Sequence, residues 1–271
     1  MAKKGEKILT RNQVEKLSLN KVSVITADML DGYTSIGEHV FMDCTNLTSI
    51  AIPVNITRIG FAAFRGCFNL TFIEISNSVI SIGDYAFVDC SGLPSIVIPN
   101  SVISIGYGVF LYCCSLTTIT IPDNVISIGA FAFCCCSSLM SAVISNSITN
   151  IERCVFKGCR HLASVTIGDK IYKNQVIKDG KCKAYKAFNA NMVCRDFQYK
   201  EGETYKFKGN SKLCESGFHA CLNLADVFNY YAGKFGKNVV VHEVELEGVS
   251  DERRHDSKVV AKKITIGKRI L

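Results

Sequence analysis

Residues Ile82-Gly-Asp-Tyr-Ala-Phe87-Val-Asp-Cys90-Ser-Gly-Leu93-Pro-Ser-Ile96-Val-Ile98-Pro99-Asn-Ser-Val-Ile-Ser104 are one copy of a text that recurs along the N-terminal part of the chain. Its opening isoleucine returns as Ile36, Ile59, Ile82, Ile105, Ile128 and Ile151, a spacing of 23 residues each time. Glycine follows at positions 37, 60, 83, 106 and 129. The same offset then carries Phe from 41 to 156, Cys from 44 to 159 and Leu from 47 to 162. After each Leu comes an apolar pair two residues apart, as in Leu47-Thr-Ser-Ile50-Ala-Ile52-Pro53 and Leu116-Thr-Thr-Ile119-Thr-Ile121-Pro122. That local period of two predicts a strand with the isoleucines turned inward. One unit cannot bury its apolar side alone, whereas stacked units lay each Phe, Cys, Leu and Ile over its counterpart. The expectation is a β-solenoid of six 23-residue repeats with a parallel sheet, over residues 36–173.

The informative positions are those where units differ. Residues that alternate with the inward pair point out of the sheet. The column at 49, 72, 95, 118, 141 and 164 reads Ser, Phe, Ser, Thr, Ser, Ser, and the next, at 51, 74, 97, 120, 143 and 166, reads Ala, Glu, Val, Thr, Val, Thr. A nearly uncharged face bearing Phe72, Glu74, Val97, Thr120 and Val143 is the candidate surface for a protein partner. The competing reading is a small-residue sheet face that only stays hydrated.

The repeated cysteines admit a chemical and a plain reading. Thiols on neighbouring turns, with Cys113-Cys114 and Cys134-Cys135-Cys136, suggest disulfides or a soft metal site. The plain reading is that Cys is a small, readily buried hydrophobe repeated because the unit repeats. Sequons at Asn46, Asn55 and Asn69 are by the same logic by-products of the repeat.

The 271 residues are 48% apolar and 20% charged, which excludes a disordered chain. No charge occurs between Asp89 and Asp123, yet Pro94, Pro99, Asn100, Gly106 and Gly108 interrupt that stretch, so no membrane span is expected there. The N-terminal Lys3, Lys4 and Lys7 are not followed by the apolar run of a secretory leader. With 14 cysteines, the expectation is a reducing, cytoplasmic setting. Residues 1–35 read as an N-terminal cap, with a short helix from Thr10 to Leu17 in which Thr10 is the N-cap and Gln13 completes a capping box. At the other end, Glu152, Arg153, Lys157, Arg160 and His161 make the sixth unit polar, as suits a last turn.

The unit Ile-Gly-x-x-Ala-Phe-x-x-Cys-x-x-Leu-x-x-Ile-x-Ile-Pro resembles the BspA-like leucine-rich repeat, over about half of the chain. The resemblance implies a protein-binding solenoid, in a family whose members are frequently found at cell surfaces.

Residues 1–169 hold 11 basic and 12 acidic side chains, net −1, while residues 170–271 hold 20 and 12, net +8. The compositional step places a linker at 174–182 and a basic α+β domain at 183–271. There, Leu224-Ala-Asp-Val-Phe-Asn-Tyr-Tyr231 is spaced as a helix, and Val239 to Leu246 and Val259 to Ile266 read as strands. The segments Cys194-Arg-Asp-Phe-Gln-Tyr199 and Cys214-Glu-Ser-Gly-Phe-His-Ala-Cys221 resemble the signature of an uncharacterised domain of phage and bacterial proteins. A second resemblance is to the NAD-binding core of ADP-ribosyltransferases, through Gly217-Phe-His-Ala-Cys221, the helix ending Tyr230-Tyr231, and Glu243-Val-Glu245. It implies an NAD site using Tyr185, His219 and Glu243 or Glu245, although Lys258 stands where the family's acceptor-activating Glu would be sought. Cys194, Cys214, His219 and Cys221 are candidate zinc ligands, but Cys214-x6-Cys221 lacks the usual tight spacing. Arg253-Arg254-His255, Lys262-Lys263 and Lys268-Arg269, with Tyr185, Phe197, Tyr199, Tyr205 and Phe207, would suit nucleic acid, while Lys scattered among acids reads equally as solvated charge. Taken together, the sequence predicts a non-enzymatic, cofactor-free, protein-binding scaffold with a second interaction module at its C-terminus.

Overall fold

In the computed structural model the described residues are 6–148, 150–173, 181–189, 191–194, 197–207, 218–222, 224, 226–227, 239–250 and 258–270. They form two units, Met1–Ile171 and Tyr172–Leu271.

Every 23-residue unit except the one containing Pro94 makes two strands. The Ser-Ile pair that opens a unit forms a two-residue strand, and these stack into a seven-stranded sheet from Ile8–Leu9 through Ser35–Ile36, Arg58–Ile59, Ser81–Ile82, Ser104–Ile105 and Ser127–Ile128 to Asn150–Ile151. Pairing is parallel, residue for residue: Ile36 lies on Ile59, Ile59 on Ile82 and Ile128 on Ile151. The glycine after Ile serves this stacking. A Cβ on Gly83 would lie 2.8 Å from the Gly60 carbonyl carbon, and one on Gly129 would lie 2.7 Å from that of Gly106.

The isoleucine pair later in the unit forms a second column, and here the sheet is split. Val24–Ile25, Ser49–Ile52 and Phe72–Ile75 form a three-stranded sheet; Thr118–Thr120, Ser141–Ile144, Ser164–Ile167 and Lys170–Lys173 form a four-stranded one. Pro94 explains the break. Along the rest of the column the residue before the strand donates its amide to the turn beneath: Thr48 to Ser23, Thr71 to Thr48, Thr117 to Pro94, Met140 to Thr117 and Ala163 to Met140, all within 2.7–3.1 Å. Pro94 has no amide hydrogen, so the Thr71 carbonyl does not receive the corresponding bond, and Ser95–Ile98 is not a strand.

The core between the columns is a set of side-chain ladders. Phe41, Phe64, Phe87, Phe110, Phe133 and Phe156 stack ring on ring, with centroids 5.2–5.7 Å apart and planes within 13°. Offset stacking at that separation adds to the burial term. The cysteine ladder has a hydrogen-bonding role that its repetition alone did not disclose. The thiols of Cys67, Cys90, Cys113, Cys136 and Cys159 each donate to the carbonyl of the Phe 26 residues earlier, at 3.0–3.2 Å. Each thus fills space as a small hydrophobe and supplies a donor to a carbonyl inside the stack.

The N-terminal segment contributes a turn of its own. Ile8–Leu9 and Val24–Ile25 open the two columns, joined by an irregular stretch that includes helix Arg11–Lys16. That helix is capped as its sequence predicts, with Thr10 accepting from Gln13 and Gln13 reaching back to Thr10. Arg11 donates to the carbonyls of Met42 (2.6 Å) and Val40 (3.4 Å), holding the segment against the first regular turn. The repeat period missed this turn because Ile8 and Ser35 are 27 residues apart.

The second unit is an antiparallel sheet. Lys181–Asn189 pairs along its length with Val239–Ser250, which pairs with Lys258–Arg269. Lys258–Arg269 also pairs with Phe218–Cys221 and Thr204–Lys206. Tyr185 lies opposite Cys221, so these pairings close the four longer partners into a ring. The strands expected at Val239–Leu246 and Val259–Ile266 are present within longer ones. The helix expected at 224–231 lies largely outside the described residues. A strand already begins at Lys181, within the segment expected as a linker.

Candidate functional site

The outward face of the second column carries a groove of about 980 Å³ over four successive turns. Val97, Thr120 and Val143 line it. Register puts Val143 beside Thr120 on one side and Thr166 on the other. Val97 is 78% exposed and Val143 38%. Large apolar side chains this accessible stand out against neighbours such as Ile96 and Ile119, which are buried. At one end of the strands the groove is bordered by Asn100, Asp123, Asn146 and Asp169, all exposed. The two aspartates are the only charged side chains in its lining.

Phe72 and Glu74 are exposed on the same column but lie beyond the Pro94 break, paired with Ser49 and Ala51, and do not line the groove. The structure therefore gathers three of the five nominated residues and leaves two on an adjoining patch.

The border lies three residues past the second outward column, beyond the reach of strand alternation. Compared every second turn, outward positions obey a 46-residue period. Ala51, Val97 and Val143 are apolar where Glu74, Thr120 and Thr166 are polar, and Asn100 and Asn146 alternate with Asp123 and Asp169. A surface stripe in the turn after the first column follows the same rule. His39, Phe61, Tyr85, Tyr107 and Phe131 come alternately from the third and second residue after the unit's Ile. Their ring centroids are 5.1–5.5 Å apart, and Arg153 sits 5.6 Å over Phe131.

The most deeply buried repeat cysteines are poor nucleophiles. Burial pushes the Cys67 and Cys134 thiols up to about 12, and Cys90 and Cys113 are raised by the same cause. The repeat cysteines from Cys44 to Cys159 form no disulfide, Cys134 and Cys135 approach to 3.5 Å between sulfurs, and no metal-binding group of three His, Cys, Asp or Glu occurs among the described residues. Two sequon amides are already engaged: Asn55 donates to the carbonyls of Tyr33 and Leu30, and Asn69 to that of Thr45.

In the second unit, Tyr185 is opposite Glu243 on one neighbouring strand and Cys221 on the other, with His219 two residues away. Directly opposed residues share a face, so Tyr185, Glu243 and Cys221 are brought together. Tyr185 and His219 are buried, however, at 1% and 6% exposure, and only Glu243 and Glu245 line the adjacent cleft of about 240 Å³, with Lys183 and Thr265. Lys258 pairs with Cys221. Of the candidate zinc ligands, Cys214 and the side chain of Cys194 lie outside the described residues, as does Arg253-Arg254-His255. The aromatics proposed for stacking partly pack on each other: Tyr199 meets Phe188 and Tyr205, both at 5.1 Å. Sequence reading missed Lys186, which is 3% exposed, donates to the His219 carbonyl at 2.8 Å and lies 5.6 and 5.7 Å from the Phe188 and Tyr199 rings. Nearby basic charge is also engaged: Lys263 bonds Glu247 at 2.6 Å, holding that carboxyl below its ordinary range.

Stacked 23-residue turns of this composition define a leucine-rich repeat protein. Residues 12–113 and 57–178 match the BspA type leucine rich repeat region, in 6 copies, and the chain belongs to that family. Residues 182–271 match a domain of unknown function (DUF7666). Among solved structures, a leucine rich repeat protein of T. pallidum is similar at 32% identity and a TM-score of 0.52, over 55% of this chain and 71% of that one. A leucine rich cell surface protein of Faecalibacterium prausnitzii matches at 24% identity and a TM-score of 0.45, over 55% of this chain and 52% of the other. Comparison with curated proteins returns no match. No helix among the described residues is long and apolar enough to cross a membrane.

Proposed function

We propose that the chain is a non-enzymatic scaffold that binds a protein partner on the outward face of the second strand column, through Val97, Thr120 and Val143, with Phe72 and Glu74 as a flanking patch. The observation that carries this reading is the groove itself, where the exposed Val97 and Val143 present apolar area whose burial on binding is favourable. The raised thiols and buried Tyr185 and His219 favour binding over catalysis, and the free cysteines fit a reducing, cytoplasmic setting. The basic C-terminal domain serves as a second interaction module, its excess of +8 in residues 170–271 attracting acidic partners.

The test is selection of binders from a displayed random-peptide library on the full chain. Affinities are then measured for wild type and for Val97→Lys/Val143→Lys, with circular dichroism confirming the fold. Loss of at least 10-fold on substitution is expected; unchanged affinity for every selected peptide overturns the reading.

A further inference from the structure

The groove repeats along the solenoid axis with a two-turn period. Val97 and Val143 are 46 residues apart, as are Asp123 and Asp169, with Thr120 and Asn146 on the turn between each pair. Thr117 bonds to the Pro94 carbonyl and Met140 to that of Thr117, so these turns stack at the spacing of parallel strands, about 4.8 Å, and two of them span about 9.6 Å. A ligand that satisfies both pairs presents alternating apolar and cationic groups at that repeat. A β-strand fits poorly, because its same-face side chains recur every two residues, at about 6.6 Å. A polyproline II chain fits well: with three residues per turn and a rise of about 3.1 Å, positions i and i+3 fall on one edge about 9.3 Å apart. Its backbone carbonyls are left without internal partners. Asn100 and Asn146, exposed along the same border, carry amide donors suited to them.

We propose that the occupant of this groove is a polyproline II peptide with Lys or Arg at every third position. Its cations pair with Asp123 and Asp169, and its proline rings rest on Val97 and Val143. This rests on the groove being the binding surface. Charge complementarity supports it, since among the described residues of the lining the two aspartates are the only charged side chains. Pairing across a solvent-exposed border is worth little per contact, so recognition depends on both aspartates being met at once.

The probe is a four-fold Lys-Pro-Pro repeat titrated against the full chain by fluorescence anisotropy. It is compared with a peptide of the same composition whose lysines are gathered at one end, and with a Glu-Pro-Pro repeat. The expected result is binding of the Lys-Pro-Pro repeat, at least 10-fold weaker binding of the gathered-lysine peptide, no binding of the Glu-Pro-Pro repeat, and at least 10-fold loss on Asp123→Asn/Asp169→Asn. Equal affinity for the two lysine peptides, or affinity indifferent to the Asn substitutions, overturns the proposal. If the Lys-Pro-Pro repeat does not bind while library-selected peptides lose affinity on Val97→Lys/Val143→Lys, the occupant is wrong and the groove reading stands. If neither class of peptide depends on the groove, both fall.

Discussion

The two units solve the same problem of pairing strands by opposite means. In the solenoid, strand pairing is a translation: Ile59 meets Ile36 and Ile82, and Phe87 meets Phe64 and Phe110, always one unit away. In the second unit Tyr185 meets Glu243, 58 residues on, and Lys181 meets Glu247. Translation makes each core position a column of like side chains, so a defect is felt by the turns on either side and no further. The antiparallel ring has no like neighbours, and a position such as Lys186 is held by His219 and Tyr199 from other segments and by Phe188 of its own strand. A repeated contact is therefore written in the sequence as a period, whereas a closed sheet is written only in the pairing.

The strongest way to break the contrast is at the aromatic ladder. Phe87→Ala removes a fully buried ring stacked on both sides, and is expected to cost about 3–5 kcal/mol, read as a lowered urea midpoint. An effect below about 1 kcal/mol would mean the turns do not share one core. Next in size is Lys186→Ala in the second unit. Loss of a buried, charge-assisted hydrogen bond and of two ring contacts is expected to cost about 2–3 kcal/mol, with protection from hydrogen exchange falling along Lys181–Asn189 and not in the repeats.

The cysteine ladder sharpens the comparison at a smaller scale. Cys90→Ala removes the thiol donor to the Phe64 carbonyl, which keeps its bond from the Cys67 amide, and about 1–2 kcal/mol of destabilisation is expected. The thiols of Cys67, Cys90 and Cys113 impose a pH dependence. Their pKa values are raised by folding, so the folded state holds the proton more tightly. Their contribution is complete below the unfolded value of about 8.5 and is lost as pH rises toward the folded value of about 12 at Cys67. Stability measured by denaturation should thus fall from about pH 9 upward, and thiol alkylation at neutral pH should reach the buried Cys67, Cys90, Cys113 and Cys136 only after unfolding. The smallest effect is expected from Pro94→Thr. The restored amide gains about 1 kcal/mol of hydrogen bonding to Thr71, while the unfolded chain regains a similar amount of freedom. Net stability should change by less than about 0.5 kcal/mol, while new exchange protection at residue 94 would report that the two halves of the second column had joined.

The groove was half legible beforehand. Val97, Thr120 and Val143 follow from alternation around an inward isoleucine pair, because side-chain direction in a strand has period two. Phe72 and Glu74 share that direction but not the groove, since the column is interrupted at Pro94 between their turn and the next. Asp123 and Asp169 come after the strand, where the alternation of a strand no longer assigns direction; the structure sets them at its end. The hydrogen bonds of the cysteine ladder were invisible for another reason, namely that a thiol at a buried repeat position looks the same whether it merely fills space or donates to a carbonyl.

Sequence by itself determined the repeat, its 23-residue pitch, the inward Phe, Cys, Leu and Ile columns, the capped helix after Thr10 and the basic character of the C-terminal part, because each is set by local chemistry recurring at a fixed interval. Tertiary structure alone decided that all units but the one containing Pro94 make two strands, that Ile8–Leu9 adds a turn, that one proline splits a sheet, and that Tyr185 faces Glu243 while Lys186 is buried among rings. Those depend on which distant backbone groups find each other, and hydrogen-bond donors and acceptors carry no label in the chain to say so.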